Sequence, residues 1–199
     1  MTQVKICGLT VAEDAQMAAE AGADLLGFHF CESVRRVSPD HARRIIHSLR
    51  RPPRLVGVFI DPSEDEAESV ADFCGLDILQ LHGSEPAGFR SRRRLMKVFK
   101  VKQGQIPETD AWPDPILVDS WSADQRGGTG RAWSWQDAQE LISRRQVFIA
   151  GGLRPDNVGE LVSRFRPYGV DVSSGVEATV RRKDPDKVRA FISTVREAV

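Results

Sequence analysis

Seven short apolar runs in this chain end in residues that can bind an anion or move a proton. In chain order these ends carry Cys7, the stretch from His29 to Arg36, Asp61, His82, Asp119, the pair Gly151-Gly152 and the triplet Ser173-Ser174-Gly175. Small residues at the end of a buried strand let backbone N–H groups approach an anion. The last two turns stand one helical pattern apart near the end of the chain, and together they suit a phosphate. Beside them are a thiol, a carboxyl, an imidazole and one or two guanidinium groups. The set contains an acid and a base, while its His and Cys residues lack the spacing of a metal cage. The chemistry implied is proton transfer on a phosphorylated small molecule, with no cofactor and no metal.

Such residues act together only if the strand ends share one rim, as they do in a (β/α)8 barrel. The patterning fits that α/β class. Apolar runs at 4–7, 25–30, 55–60, 78–81, 97–101, 116–118, 147–150 and 170–173 read as strands. Between them apolar residues recur at helical spacing, as in Ala42, Ile45, Ile46 and Leu49, or Val158, Leu161, Val162 and Phe165. Thr10 with Glu13 and Ser63 with Glu66 read as capping boxes, and Gly75 as a C-cap. Ser38-Pro39 and Asp184-Pro185 read as helix starts.

A further helix is expected over 84–94, although it carries Gly88. Residues 102–115 are rich in Pro and Gly, so the fifth helix is expected to be reduced to a loop. Residues 120–133 contain Gly127-Gly128-Thr129-Gly130. No Gly-Lys-Ser/Thr follows, so a lid is expected there rather than a phosphate loop. Without a break in composition, one barrel domain over 1–199 is expected. The rival doubly wound sheet would show a glycine fingerprint after its first strand, which Cys7-Gly8-Leu9 is not.

The 199 residues balance 28 Lys and Arg against 28 Asp and Glu. No net field favours nucleic acid or an anionic membrane. The clusters Arg50-Arg51 and Arg92-Arg93-Arg94 read as solvated helix ends. No apolar run is long enough for a bilayer, and Met1-Thr2-Gln3 leads straight into a strand, so neither a span nor a signal peptide is expected. Three cysteines without C-x-x-C spacing point to a reducing cytoplasm.

Four segments carry a resemblance. Lys5-Ile6-Cys7-Gly8-Leu9-Thr10, Gln80-Leu81-His82-Gly83, Ile116-Leu117-Val118-Asp119-Ser120 and Asp171-Val172-Ser173-Ser174-Gly175-Val176-Glu177 resemble the signature segments of phosphoribosylanthranilate isomerases, in order and over nearly the whole chain. The resemblance implies a (β/α)8 barrel of tryptophan biosynthesis that performs an Amadori rearrangement. It implies that Cys7 is the general base for the sugar C2 proton and Asp119 the general acid for the ring oxygen. It further implies that Arg35 holds the anthranilate carboxylate, that His82 lines the substrate, and that Gly151, Gly152, Ser173, Ser174 and Gly175 cradle the phosphate. The expected partner is a phosphosugar, and the assembly a monomer or homodimer.

The loop after strand two departs from the family pattern by one residue, which leaves Arg36 as the rival of Arg35. His29 interrupts an apolar strand and is read as a core or rim histidine without a role. Asp61, before Pro62-Ser63, is read as turn chemistry. Lys5 and Asp171 fall on the inward sides of the first and last strands, so they are expected to pair inside the barrel below Cys7. Two other readings remain open: a different phosphosugar barrel, or a non-catalytic phosphate-binding barrel.

Overall fold

The computed structural model describes residues 1–101, 105–119 and 135–198. Eight parallel strands close into a barrel in sequence order: β1 (Gln3–Ile6), β2 (Leu25–His29), β3 (Arg54–Phe59), β4 (Ile78–Leu81), β5 (Arg94–Lys100), β6 (Ile116–Asp119), β7 (Val147–Ala150) and β8 (Gly169–Val172). Closure comes from β1 against β8, with Lys5 level with Asp171. Six α-helices are present among the described residues: α1 (Ala12–Glu20), α2 (Pro39–Ser48), α3 (Glu64–Cys74), α4 (Gln139–Arg144), α5 (Val158–Phe165) and α6 (Pro185–Glu197). A small antiparallel pair, β9 (Glu177–Thr179) and β10 (Arg182–Lys183), follows β8. Among the described residues no helix is long and apolar enough to cross a membrane.

Strand alternation divides the core in two. Leu25, Val56, Ile78, Met96, Val98, Leu117, Phe148 and Ala150 form the cluster inside the barrel. Val4, Ile6, Leu26, Phe28, Leu79, Val118, Ile149 and Val170 face outward and join the helix residues, such as Ile45, Leu161 and Phe191. Because the side-chain period is two, the inward rows also carry the polar residues Lys5, His29, Gln80, Asp119 and Asp171. Burial of the outer rows holds the helices on, and the inner polar rows fill the mouth.

Several local expectations hold. Ser38 caps α2 by accepting from His41 N, and Ser63 caps α3 by accepting from Glu66 N. Gly75 ends α3 at φ 71°, a left-handed position suited to glycine. Asp184 caps α6 through the N–H groups of Asp186 and Lys187.

Two local expectations fail. Thr10 does not cap α1: its hydroxyl donates to Arg181 O, and the N-cap is Val11 without a side-chain bond. The helix expected over 84–94 is absent. Its final residue already belongs to β5, and Pro86 lies inside it. The amides of Arg90 and Arg92 donate to Glu64 and Glu68 of α3, while Arg92 and Arg93 pair with Asp72. Side chains of α3 thus replace the helical hydrogen bonds, and Arg92 to Arg94 do not cap a helix. No helix follows β5 among the described residues. The lid expected over 120–133 lies outside the described residues.

Candidate active site

The sulfur of Cys7 sits just past the end of β1, where its N–H donates to Val172 O of β8 at 2.8 Å. Gly8 follows at φ 73°, turning the chain away from the rim. A Cβ on Gly27 of β2 would lie 2.7 Å from Cys7 Sγ, so the glycine makes the space that the inward sulfur occupies. Cys7 is 4% exposed.

Below it Lys5, fully buried, donates from Nζ to Cys7 Sγ at 3.0 Å and to Asp171 Oδ1 at 3.0 Å. The expected pair is therefore present and directly joined to the thiol. Burial works against the Lys5 ammonium, but Asp171 and Cys7 outweigh it and raise its pKa. Burial also pushes the Cys7 thiol above its ordinary range, against Lys5, which pulls it down. His29 Nε2 stands 3.3 Å from the same sulfur.

Three strands away round the barrel, Asp119 ends β6 on the inward row of Leu117. His82 approaches it from the end of β4, with Nε2 3.9 Å from Asp119 Oδ2. Burial, followed by Lys100 and Lys5, pushes the His82 pKa down to about 4, so the ring is neutral near pH 7. The loop bearing His82 and Gly83 is pinned from below. Glu85 accepts from the N–H groups of Asp61 and Gly83 and pairs with Lys97 of β5. Asp61 accepts from Ser84 N and shapes the turn, as its sequence context suggests.

Arg35 reaches the rim from the loop after β2, its Cδ crowding the place where a Cβ on Gly8 would stand. Arg36 is exposed. The Arg35 guanidinium forms a fork on Glu177, Nε to Oε1 at 2.7 Å and Nη2 to Oε2 at 2.6 Å. Lys183 of β10 completes the group, with Nζ 2.9 Å from Ser173 O and 3.2 Å from Glu177 Oε1. Burial disfavours the Glu177 carboxylate, yet Arg35 and Lys183 outweigh it and hold its pKa low. Two of the five guanidinium N–H groups of Arg35 serve Glu177, which leaves others able to meet a second carboxylate.

The ends of β7 and β8 press together. Gly151 and Gly152 adopt φ 92° and 65°, and Asn157 Nδ2 donates to Gly152 O. A Cβ on Gly175 would collide with Leu153 O, so only glycine permits this approach. Ser174 and Gly175 lie in a 3₁₀ turn over Ser174–Val176. Ser173 Oγ is buried without a hydrogen-bond partner among the described residues. Backbone turns and an unspent hydroxyl at one place suit a phosphate.

The nine residues singled out for the site therefore fall on one face, at the ends of β1, β2, β4, β6, β7 and β8. Sequence reasoning saw His29 at the rim but gave it no role, and gave none to Glu177 or Lys183. For His29 the signal was available, since Leu25, Gly27 and His29 alternate onto the inward row. For Glu177 and Lys183 no local signal existed, because the pair depends on how β9 and β10 fold back. Among the described residues no three His, Cys, Asp or Glu side chains gather as metal ligands would.

Comparison with known proteins agrees with the barrel fold. The family profile described as N-(5′-phosphoribosyl)anthranilate (PRA) isomerase matches residues 4–194. The chain is 46% identical over 205 residues to an N-(5′-phosphoribosyl)anthranilate isomerase of Geobacter sp., covering 99% of each chain. A crystal structure of a phosphoribosyl anthranilate isomerase in complex with reduced 1-(o-carboxyphenylamino)-1-deoxyribulose 5-phosphate is similar at a TM-score of 0.84 and 34% identity, covering 99% of this chain and 100% of that one. Equally similar, with the same coverage, are monomers generated from the dimeric enzyme of Thermotoga maritima.

Proposed function

Because the chain belongs to the N-(5′-phosphoribosyl)anthranilate isomerase family, we propose that Cys7 and Asp119 are the base and acid of its reaction. The protein is an isomerase of tryptophan biosynthesis that performs the Amadori rearrangement of N-(5-phosphoribosyl)anthranilate to 1-(2-carboxyphenylamino)-1-deoxyribulose 5-phosphate. Ring opening and removal of the C2 proton are each a proton transfer coupled to movement of the anilino nitrogen lone pair.

Asp119 gives its proton to the ring oxygen as the bond from that oxygen to C1 breaks. The nitrogen lone pair forms the C1–N double bond, leaving a Schiff base. Cys7, as thiolate, then takes the proton from C2. The C–H electron pair forms a C1–C2 double bond, and the C1–N π electrons return to nitrogen. In the final tautomerisation C1 gains a proton, the C2 hydroxyl loses one, and its electron pair forms the C2=O bond of the ketose. General acid and base catalysis of this kind contributes roughly 10²–10⁴-fold each. The observation that carries the assignment is the inward sulfur at the rim, joined at 3.0 Å to a buried ammonium.

Arg35 holds the anthranilate carboxylate with the donors that Glu177 leaves, and its inward position favours it over the exposed Arg36. His82, neutral beside Asp119, lines the sugar. Gly151, Gly152, Ser173, Ser174 and Gly175 take the phosphate, supported by the buried Ser173 hydroxyl. The chain works without a cofactor, as a monomer or homodimer. Three free cysteines favour the cytoplasm.

The fluorescence of the substrate's anthranilate group gives the test. Its decay should be accelerated by this protein. Cys7→Ala and Asp119→Asn should each lower kcat by about a hundredfold or more with KM nearly kept. Normal turnover in both variants would refute the assignment.

A further inference from the structure

His29 is a half-buried ionisable side chain at this rim to which the acid and base roles give no task. It lies on the inward row of β2, with Nε2 3.3 Å from Cys7 Sγ and Nδ1 3.1 Å from Ser33 Oγ. Ser33 Oγ also accepts the backbone N–H of Arg35 at 3.1 Å, and its one proton is free to point at Nδ1. Burial, reinforced by Lys5, Arg35, His82 and Lys183, pushes the His29 pKa down to about 3, so the ring carries a single proton near pH 7. A neutral imidazole that accepts at Nδ1 holds that proton at Nε2, facing the sulfur.

We propose that His29 is a positioning residue for the base: its Nε2–H donates to Cys7 Sγ, and Ser33 fixes the ring tautomer that makes the donation. This inference rests on Cys7 being the group that takes the C2 proton. The anion then has two donors on different strands, Lys5 Nζ from β1 and His29 Nε2 from β2. The hydrogen bonds favour the thiolate over the thiol and fix the direction of its remaining lone pairs. When the C2–H bond breaks, its proton goes to sulfur and its electron pair to C1–C2, while His29 keeps its own proton. Other titratable groups facing this pair are Asp171 on β8, Lys183 on β10, Arg35 and His82. The first three act on the pair through their charge, His82 is neutral near pH 7, and His29 is the local donor beyond Lys5.

A Cys31→Ser/Cys74→Ser background leaves Cys7 as the single thiol of the three, and its ionisation can be followed by thiolate ultraviolet absorbance. In that background His29→Val should raise the Cys7 midpoint by about one pH unit and lower kcat by about tenfold, with KM unchanged. Ser33→Ala should shift both in the same direction by less. His29→Gln, whose amide N–H can replace Nε2–H, should stay near the parent. An unshifted midpoint in folded His29→Val would overturn the proposal, as would a His29→Gln midpoint displaced as far as that of His29→Val. Should His29→Val fail to fold, an unchanged midpoint in Ser33→Ala overturns it instead. Failure of the underlying role is separately visible: Cys7→Ala with normal kcat removes the base assignment without touching the titration.

Discussion

Lys5 sits between Cys7 and Asp171 with no exposed surface, and its ammonium has a partner on either side. Removing one member of such a group leaves a buried charge uncompensated. Lys5→Met should therefore destabilise the fold by roughly 3–5 kcal/mol. Lys5→Met/Asp171→Leu should recover most of that loss in urea unfolding, because no charge is then left buried. The two half-buried histidines predict an acid sensitivity. His29 and His82 are pushed to about 3 and about 4, below the ordinary 6.5. Above pH 6.5 neither the folded nor the unfolded chain protonates them. As pH falls below 6.5 the unfolded chain takes up protons that the folded chain refuses, so stability is lost down through pH 4. The loss should be on the order of 4 kcal/mol by pH 5, about 2 kcal/mol from each histidine. His82→Asn should remove about half of it when unfolding is compared at pH 7 and pH 5.

At the scale of elements, the loop after β4 shows what replaces a missing helix. Glu85, with its side chain 1% exposed, gathers Asp61 N, Gly83 N and Lys97, and thereby fixes the turn that presents His82. Lys97→Met should cost about 3 kcal/mol in stability and also lower kcat, since the His82 turn is released. The loops after β7 and β8 are held by backbone contact. Gly175→Ala, whose Cβ would collide with Leu153 O, should raise KM at least about tenfold with a smaller effect on kcat. Strands and most helices were legible in the sequence because alternation and 3.6-residue spacing report burial directly. Residues 84–94 were misread because their amides are satisfied by acidic side chains of α3, a tertiary contact that no local pattern reports. Thr10 was misread for the same reason, since its hydroxyl bonds Arg181 near the far end of the chain.

For the molecule as a whole, closure of β1 on β8 does the assembling. It brings the first and last strands into register at Lys5 and Asp171, and sets Cys7 beside Val172. Strand parity, and with it the inward direction of Lys5 and Asp171, was legible from residue spacing. The Glu177 fork on Arg35 was not, because it depends on a hairpin outside the barrel frame. The central claim is that thiol and carboxyl face each other across a sugar whose phosphate rests on β7 and β8. A crystal structure of this chain with reduced 1-(o-carboxyphenylamino)-1-deoxyribulose 5-phosphate measures that claim directly. Cys7 Sγ should lie within about 3.5 Å of the sugar C2. Asp119 should stand against the hydroxyl derived from the ring oxygen, and the phosphate against Gly152, Ser173 and Ser174. A sulfur turned away from C2, or a phosphate bound at another part of the rim, would contradict it.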